Sequence, residues 1–111
     1  MISGQADMTS KLDRTQNWLD LARQARFSAR QLAALRGVSL RQLERYYHDA
    51  FGQTPQEWLN DARLREAKKL LSRGLSVKEV SFKLGFKQAS HFSRTFKQRT
   101  GQPPSVYGAR R

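Results

Sequence analysis

SARQLAALRGVSLRQLERYYHDAFGQTPQEW (residues 28–58) and SVKEVSFKLGFKQASHFSRTFKQRTGQPPSVY (residues 76–107) are one pattern written twice. Ser28 matches Ser76, Leu32 matches Val80, Ala33 matches Ser81 and Gly37 matches Gly85, each 48 positions apart. Past the glycine the offset becomes 49: Leu43 matches Phe92, Arg45 matches Arg94, Tyr47 matches Phe96, Gly52 matches Gly101, Pro55 matches Pro104 and Trp58 matches Tyr107. Self-similarity of this kind marks a duplicated structural unit, with one residue added in the turn of the second copy.

Each copy reads as helix, tight turn, helix. Ser28 with Gln31, and Ser76 with Glu79, fit the capping box that opens a helix. Leu32, Ala33 and Leu35, then Val80, Phe82 and Leu84, supply the apolar side of these first helices. Gly37 and Gly85 end them, because glycine enters the left-handed conformation at low cost. Ala33 and Ser81 are small, which lets the next helix approach closely. Ser39 with Gln42 caps the second helix of the first copy, whose apolar stripe is Leu40, Leu43, Tyr47 and Ala50. The matching stripe in the second copy is Ala89, Phe92 and Phe96. A short helix joined to another by a glycine-containing turn is a helix-turn-helix.

Between the copies, Thr54, Pro55 and Glu57 form another helix start. Leucine and alanine recur at helical spacing up to Leu71, and Gly74 ends the run. This predicts one linking helix over about residues 57–72, roughly 24 Å long at 1.5 Å per residue. Residues 11–25 predict an amphipathic helix, with Leu12, Leu19 and Ala22 on one side and Trp18, Leu21 and Ala25 beside it. The expected fold is all-α, about seven helices, in two helix-turn-helix subdomains. Residues 1–9 form a disordered start, 10–53 the first subdomain, 54–73 the linking helix, 74–108 the second subdomain and 109–111 a basic tail.

The chain has 111 residues, with 21 lysines and arginines against 9 aspartates and glutamates, a formal net charge of +12. Residues 1–26 carry a net +1 and residues 27–111 a net +11. Such an excess points to a polyanionic partner, against the alternative of a basic surface that only faces water. With 0 cysteines, disulfides and thiolate metal sites are excluded. Two histidines without a carboxylate cluster argue against a metal site of another kind. No secretory signal and no apolar membrane span is visible, so the expectation is a soluble, cytoplasmic protein. No Gly-x-Ser-x-Gly, phosphate-cradling glycine loop or His-Glu-x-x-His occurs, so neither an enzyme nor a cofactor is expected.

The second helices have two faces. One is the apolar stripe. The other carries Arg41, Gln42, Arg45 and His48 in the first copy, and Gln88, Ser90, His91, Arg94 and Lys97 in the second. Residues four apart share a helix face. Arginine and glutamine make bidentate hydrogen bonds to base edges in the major groove of B-DNA, which admits one α-helix.

GVSLRQLERYYHDAFGQTPQEWLNDARLREAKKLL and VKEVSFKLGFKQASHFSRTFKQRTGQPPSVY resemble the DNA-binding domain of AraC/XylS-type bacterial transcription regulators. The second stretch carries the Gly-Phe turn, the Phe-Ser-Arg-x-Phe core and the Gly-x-x-Pro-x-x-Tyr ending of that family. The likeness runs over roughly residues 10–107. It implies seven helices, with two recognition helices entering successive major-groove segments about 34 Å apart. It places base reading on Arg41, Gln42 and Arg45, and on Ala89, Ser90, His91 and Arg94. Phosphate contacts are expected from Ser39, Lys78, Lys83, Lys87, Gln88 and Lys97. It further implies a bacterial, nucleoid-associated activator that contacts RNA polymerase and binds double-stranded DNA. Because one chain carries two such helices, a monomer on DNA is expected, with no membrane and no small-molecule site.

Three departures stand out. Lys87 takes the place of a small polar cap before the second recognition helix. Ala89 offers only an apolar contact, such as to a thymine methyl. Gly108 stands where the family often has arginine. No ligand-sensing domain accompanies the match, as in short stand-alone members or a piece of a longer regulator. Several residues keep a second reading. Arg45 and Arg94 serve as base readers, phosphate contacts or ion-pair partners. Gln42 reads a base or only caps, and His91 reads DNA or packs beside Phe92. Arg63 and Arg65 are candidate partners of Asp61 or Glu66, and Lys68, Lys69 and Arg73 a wet face. Trp58, Tyr107, Phe51, Phe92 and Phe96 are expected in the core. The competing functions are a non-specific architectural DNA- or RNA-binding protein and an adaptor for an acidic protein.

Overall fold

The computed structural model describes residues 12, 15 and 17–109. The expected disordered start (1–9) and the last two residues of the expected basic tail lie outside the described residues. From residue 17 onward the described residues form seven helices: α1 (Trp18–Gln24), α2 (Ala29–Arg36), α3 (Leu40–Phe51), α4 (Pro55–Ser72), α5 (Val77–Lys83), α6 (Ala89–Thr100) and α7 (Pro104–Ala109). The chain divides into two compact units between Asn60 and Asp61, inside α4.

The first unit contains α1, α2, α3 and the start of α4. Its core is Ala22, Phe27, Leu32, Ala33, Leu43, Tyr47 and Leu59, all at most 3% exposed. Two elements put α3 in place. Ser39 accepts from the Gln42 amide at 3.1 Å, while Gln42 Oε1 accepts from the Ser39 amide at 2.8 Å, a complete capping box. Gly37 takes φ 68°, and the Val38 amide reaches back to the Ala33 carbonyl at 3.0 Å. This Schellman turn folds α3 across α2, and Ala33, 3% exposed, keeps the crossing tight.

The second unit repeats these devices with the rest of α4, α5, α6 and α7. Ser76 and Glu79 form the full box that opens α5. Gly85 takes φ 84°, and the Phe86 amide donates to the Ser81 carbonyl at 3.0 Å. Ser81 is 3% exposed, and Phe92 and Phe96 are fully buried. The aromatic packing also repeats. Tyr47 meets Trp58 edge-on at 5.7 Å, and Phe96 meets Tyr107 edge-on at 5.3 Å. The linking helix is continuous, opens on a Thr54–Glu57 box with Pro55 at its first position, and has 18 residues.

Several sequence expectations need correction. The helix over 11–25 is not continuous, because α1 starts only at Trp18, with Asn17 in the cap position. Leu12 is itself helical and buried, the Thr15 amide donates to its carbonyl at 3.1 Å, and the helical run is broken at Thr15 and Asn17. Threonine and asparagine are weak helix formers, which favours a break there. Leu19 is 37% exposed, away from the buried side of α1. Phe82 is 74% exposed, because it stands two residues from Val80 and so faces roughly 200° away around the helix. Leu35 is 45% exposed at the edge of a narrow buried stripe, and Phe51 and Ala50 are exposed at the end of α3.

One contact has no sequence signature. The α1–α2 turn holds Arg26 and Phe27 at positive φ, a strained conformation for residues with side chains. Gln56 fastens it from α4: Nε2 donates to the Phe27 carbonyl and Oε1 accepts from the Ala29 amide, both at 2.9 Å. Nearby, the Tyr47 hydroxyl is buried and has no hydrogen-bond partner among the described residues. Burial pushes its phenol well above the ordinary range, with Tyr46 adding to the shift.

Two stability outcomes are expected. Tyr47→Phe removes an unsatisfied buried hydroxyl, and the second unit already has Phe96 at that place. Urea unfolding should show a gain of about 1 kcal/mol; a loss of that size means the hydroxyl is bonded after all. Gln56→Ala removes the bonds to the Phe27 carbonyl and the Ala29 amide and should cost about 1–3 kcal/mol in the same experiment.

Candidate nucleic-acid interface

On α3 the buried pair is Leu43 and Tyr47, one turn apart. The opposite side falls, by helical phase, on Arg41, Arg45 and His48, all exposed. On α6 the buried pair is Phe92 and Phe96, and the opposite side carries Ser90, Arg94 and Lys97, also exposed. The two helices therefore present the same turn-by-turn pattern: Arg41 matches Ser90, Arg45 matches Arg94 and His48 matches Lys97. Among the described residues, Arg41, Arg45, Arg94 and Lys97 form no ion pair, which removes the ion-pair reading of Arg45 and Arg94. Their charges face solvent.

The remaining expected site residues divide by what already holds them. Gln42 is half-buried, and its Oε1 is taken by the Ser39 amide, so only its amino end is left to reach outward. Ser39 Oγ likewise accepts from Gln42. Ala89 is half-buried at the start of α6. Lys78 and Lys83 are exposed on α5, and Lys87 and Gln88 are exposed in the turn before α6. Gln88, not Lys87, is the cap of α6, because the added residue lies earlier in the turn. Its side chain makes no capping hydrogen bond, so α6 opens without the box that α3 has.

His91 packs edge-to-face on Phe86 at 5.4 Å. Phe86 in turn meets Phe92 at 5.2 Å and lies under the Arg63 guanidinium at 4.1 Å. Arg63 was expected beside Asp61 or Glu66. Asp61 instead pairs with Arg99 at the end of α6, at 2.7 Å. Burial holds the Arg63 guanidinium below its usual value. Lys68, expected on a wet face, places its ammonium 5.9 Å from the Tyr107 ring centroid. Sequence reasoning did not single out Asp49 and Gln98, exposed one turn beyond Arg45 and Arg94; the 49-residue offset relates them as it relates the arginines. Among the described residues no cluster of histidine and carboxylate fits a metal, and no helix is long and apolar enough to cross a membrane.

A family model described as a helix-turn-helix domain matches residues 32–110. The chain belongs to the AraC-type helix-turn-helix DNA-binding family. It is 43% identical over 77 residues to the transcriptional activator NphR of Rhodococcus sp, covering 68% of this chain and 23% of that protein. It is 33% identical over 107 residues to the HTH-type transcriptional activator RhaS of Salmonella arizonae, covering 94% of this chain and 38% of that protein. The AraC-type domain thus spans well under half the length of both relatives. Among solved structures, an AraC-type regulator from Chromobacterium violaceum superposes with a TM-score of 0.71 at 28% identity, over 94% of each chain. The all-α, seven-helix architecture is that of the AraC DNA-binding domain. The family consists of transcription regulators that bind DNA, not of enzymes.

The capping box of the second unit has a pH signature. Hydrogen bonds from the Ser76 backbone amide and side chain hold the Glu79 carboxyl below its usual range, with a smaller contribution from Lys83. A lowered folded value stabilises the protein above the unfolded value of about 4.3. That stabilisation disappears as pH falls through the folded value. NMR titration should show Glu79 ionising below an ordinary glutamate and moving up in Ser76→Ala.

Proposed function

We propose that this AraC-type domain reads double-stranded DNA sequence-specifically, as a monomer, with α3 and α6 entering successive major-groove segments, and that it activates transcription beside RNA polymerase. One observation carries the base-reading half: each recognition helix buries its i,i+4 pair and offers an unpaired arginine, Arg45 or Arg94, at the same place on the opposite side. An arginine in that setting suits a bidentate bond to guanine O6 and N7. Arg41, Ser90 and His91 extend the reading face, Gln42 contributes its amino end, and Ala89 offers its methyl. Ser39, Lys78, Lys83, Lys87, Gln88 and Lys97 serve the phosphates. The activator role rests on the names of NphR and RhaS. In a bacterial cell the working place is the nucleoid.

Sequencing a random duplex pool after selection at near-physiological salt tests this reading. Two unlike short motifs about ten base pairs apart are expected. Retention without an enriched motif would favour a non-specific architectural protein. Arg45→Ala and Arg94→Ala should each cost about 1–3 kcal/mol and relax preference at particular base pairs. Uniform weakening on every duplex counts against base reading.

A further inference from the structure

In the first unit, Gln42 is anchored at the start of its recognition helix by the Ser39 amide, at 2.8 Å. Its counterpart 49 residues on is His91, at the same point of α6. There the cap is missing: Gln88 makes no side-chain bond to the first turn. Something else holds His91. Its ring meets Phe86 at 5.4 Å with an interplanar angle of 86°. Phe86 is 7% exposed and fixed from a further side by Phe92 at 5.2 Å. The Arg63 guanidinium, from α4, lies over its ring at 4.1 Å. The counterpart of Phe86 in the first unit is Val38, which has no ring to offer. The second unit has thus replaced a polar cap by a stack of three side chains: Arg63, Phe86 and His91.

We propose that Arg63, acting through Phe86, is a positioning residue that sets the orientation of the His91 imidazole and thereby its base preference. Arg63 touches no DNA in this scheme. It fixes the phenyl ring, and the ring limits the rotamers of the histidine at the mouth of the reading face. Side chains held in one orientation discriminate bases better than free ones, because the ordering cost is met before contact. The proposal rests on the reading of His91 as a base contact.

The test has two arms. The first uses free protein with isotope-labelled histidine rings. His48, with a side chain 83% exposed in the other unit, is the internal reference. His91 ring signals should lie away from those of His48, shifted by the Phe86 ring current. They should move toward them in Arg63→Met and in Phe86→Leu, and stay in Arg63→Lys. Signals that ignore Arg63→Met overturn the proposal, and this variant serves even if Phe86→Leu fails to fold.

The second arm measures relative affinities over single-base variants of the selected duplex. His91→Ala first identifies the base pair that His91 reads. Arg63→Met should then reduce discrimination at that pair by about two- to tenfold, the scale of a cation–π contact, and leave other pairs and a non-specific duplex unchanged. Arg63→Lys should restore most of the loss. Equal weakening at all pairs marks a merely structural residue and overturns the proposal. If His91→Ala changes no preference while Arg94→Ala does, His91 is no reader and the proposal falls with that assignment alone. If neither variant changes preference, the base-reading function itself has failed.

Discussion

In each unit the second helix of the helix-turn-helix, α3 or α6, buries two large side chains one turn apart and leaves its far side free. Leu43 with Tyr47, and Phe92 with Phe96, are that pair in the two units, and all four are fully buried. Burying a large apolar side chain contributes about 1.5–3 kcal/mol, so each pair outweighs any single cap or surface contact. The other features serve this burial. Ala33 and Ser81 are small so that the preceding helix can come close, and Gly37 and Gly85 reverse the chain just where it must cross. Pro55 and Pro104 start the following helices, which close over the aromatic rings from behind. Once the pair is buried, helical phase alone puts Arg45 and Arg94 outside.

Most of this was legible in the sequence because it depends on local chemistry. Capping boxes, glycine turns and i,i+4 stripes each act within a few residues. The boxes at Ser39, Thr54 and Ser76 formed as read. The duplication added a second, independent reading of each element. Local reasoning failed where phase was misjudged. Phe82 shares an apolar pattern with Val80 and Leu84, although a residue two positions from Val80 faces the other way. It also failed at α1, where Thr15 and Asn17 interrupt a stretch whose apolar residues look periodic.

Side-chain partners distant in sequence were not legible. Gln56 bonds to Phe27 and Ala29, nearly thirty residues back. Asp61 takes Arg99, 38 residues on, and Arg63 lies over the Phe86 ring. Charge and spacing name the residues able to pair, and only the packing of the helices selects among them. The exposed side of α3 and α6 was easier, since helical phase alone places it opposite the buried pair. Arg41, Arg45, Arg94 and Lys97 are recognisable as residues that the fold leaves unused.

The unequal starts of α3 and α6 also bear on how order is distributed. The first turn of α3 is tied to Ser39 and Gln42 by two hydrogen bonds, whereas that of α6 has no side-chain tie. Amides in an uncapped first turn exchange with water through local fraying, far below the energy of global unfolding. The residues Ser90 and His91 therefore lie on the softer end, apart from the hold that Phe86 provides. In the proposed complex, contact with DNA must still that end, at a cost in conformational entropy that α3 does not incur.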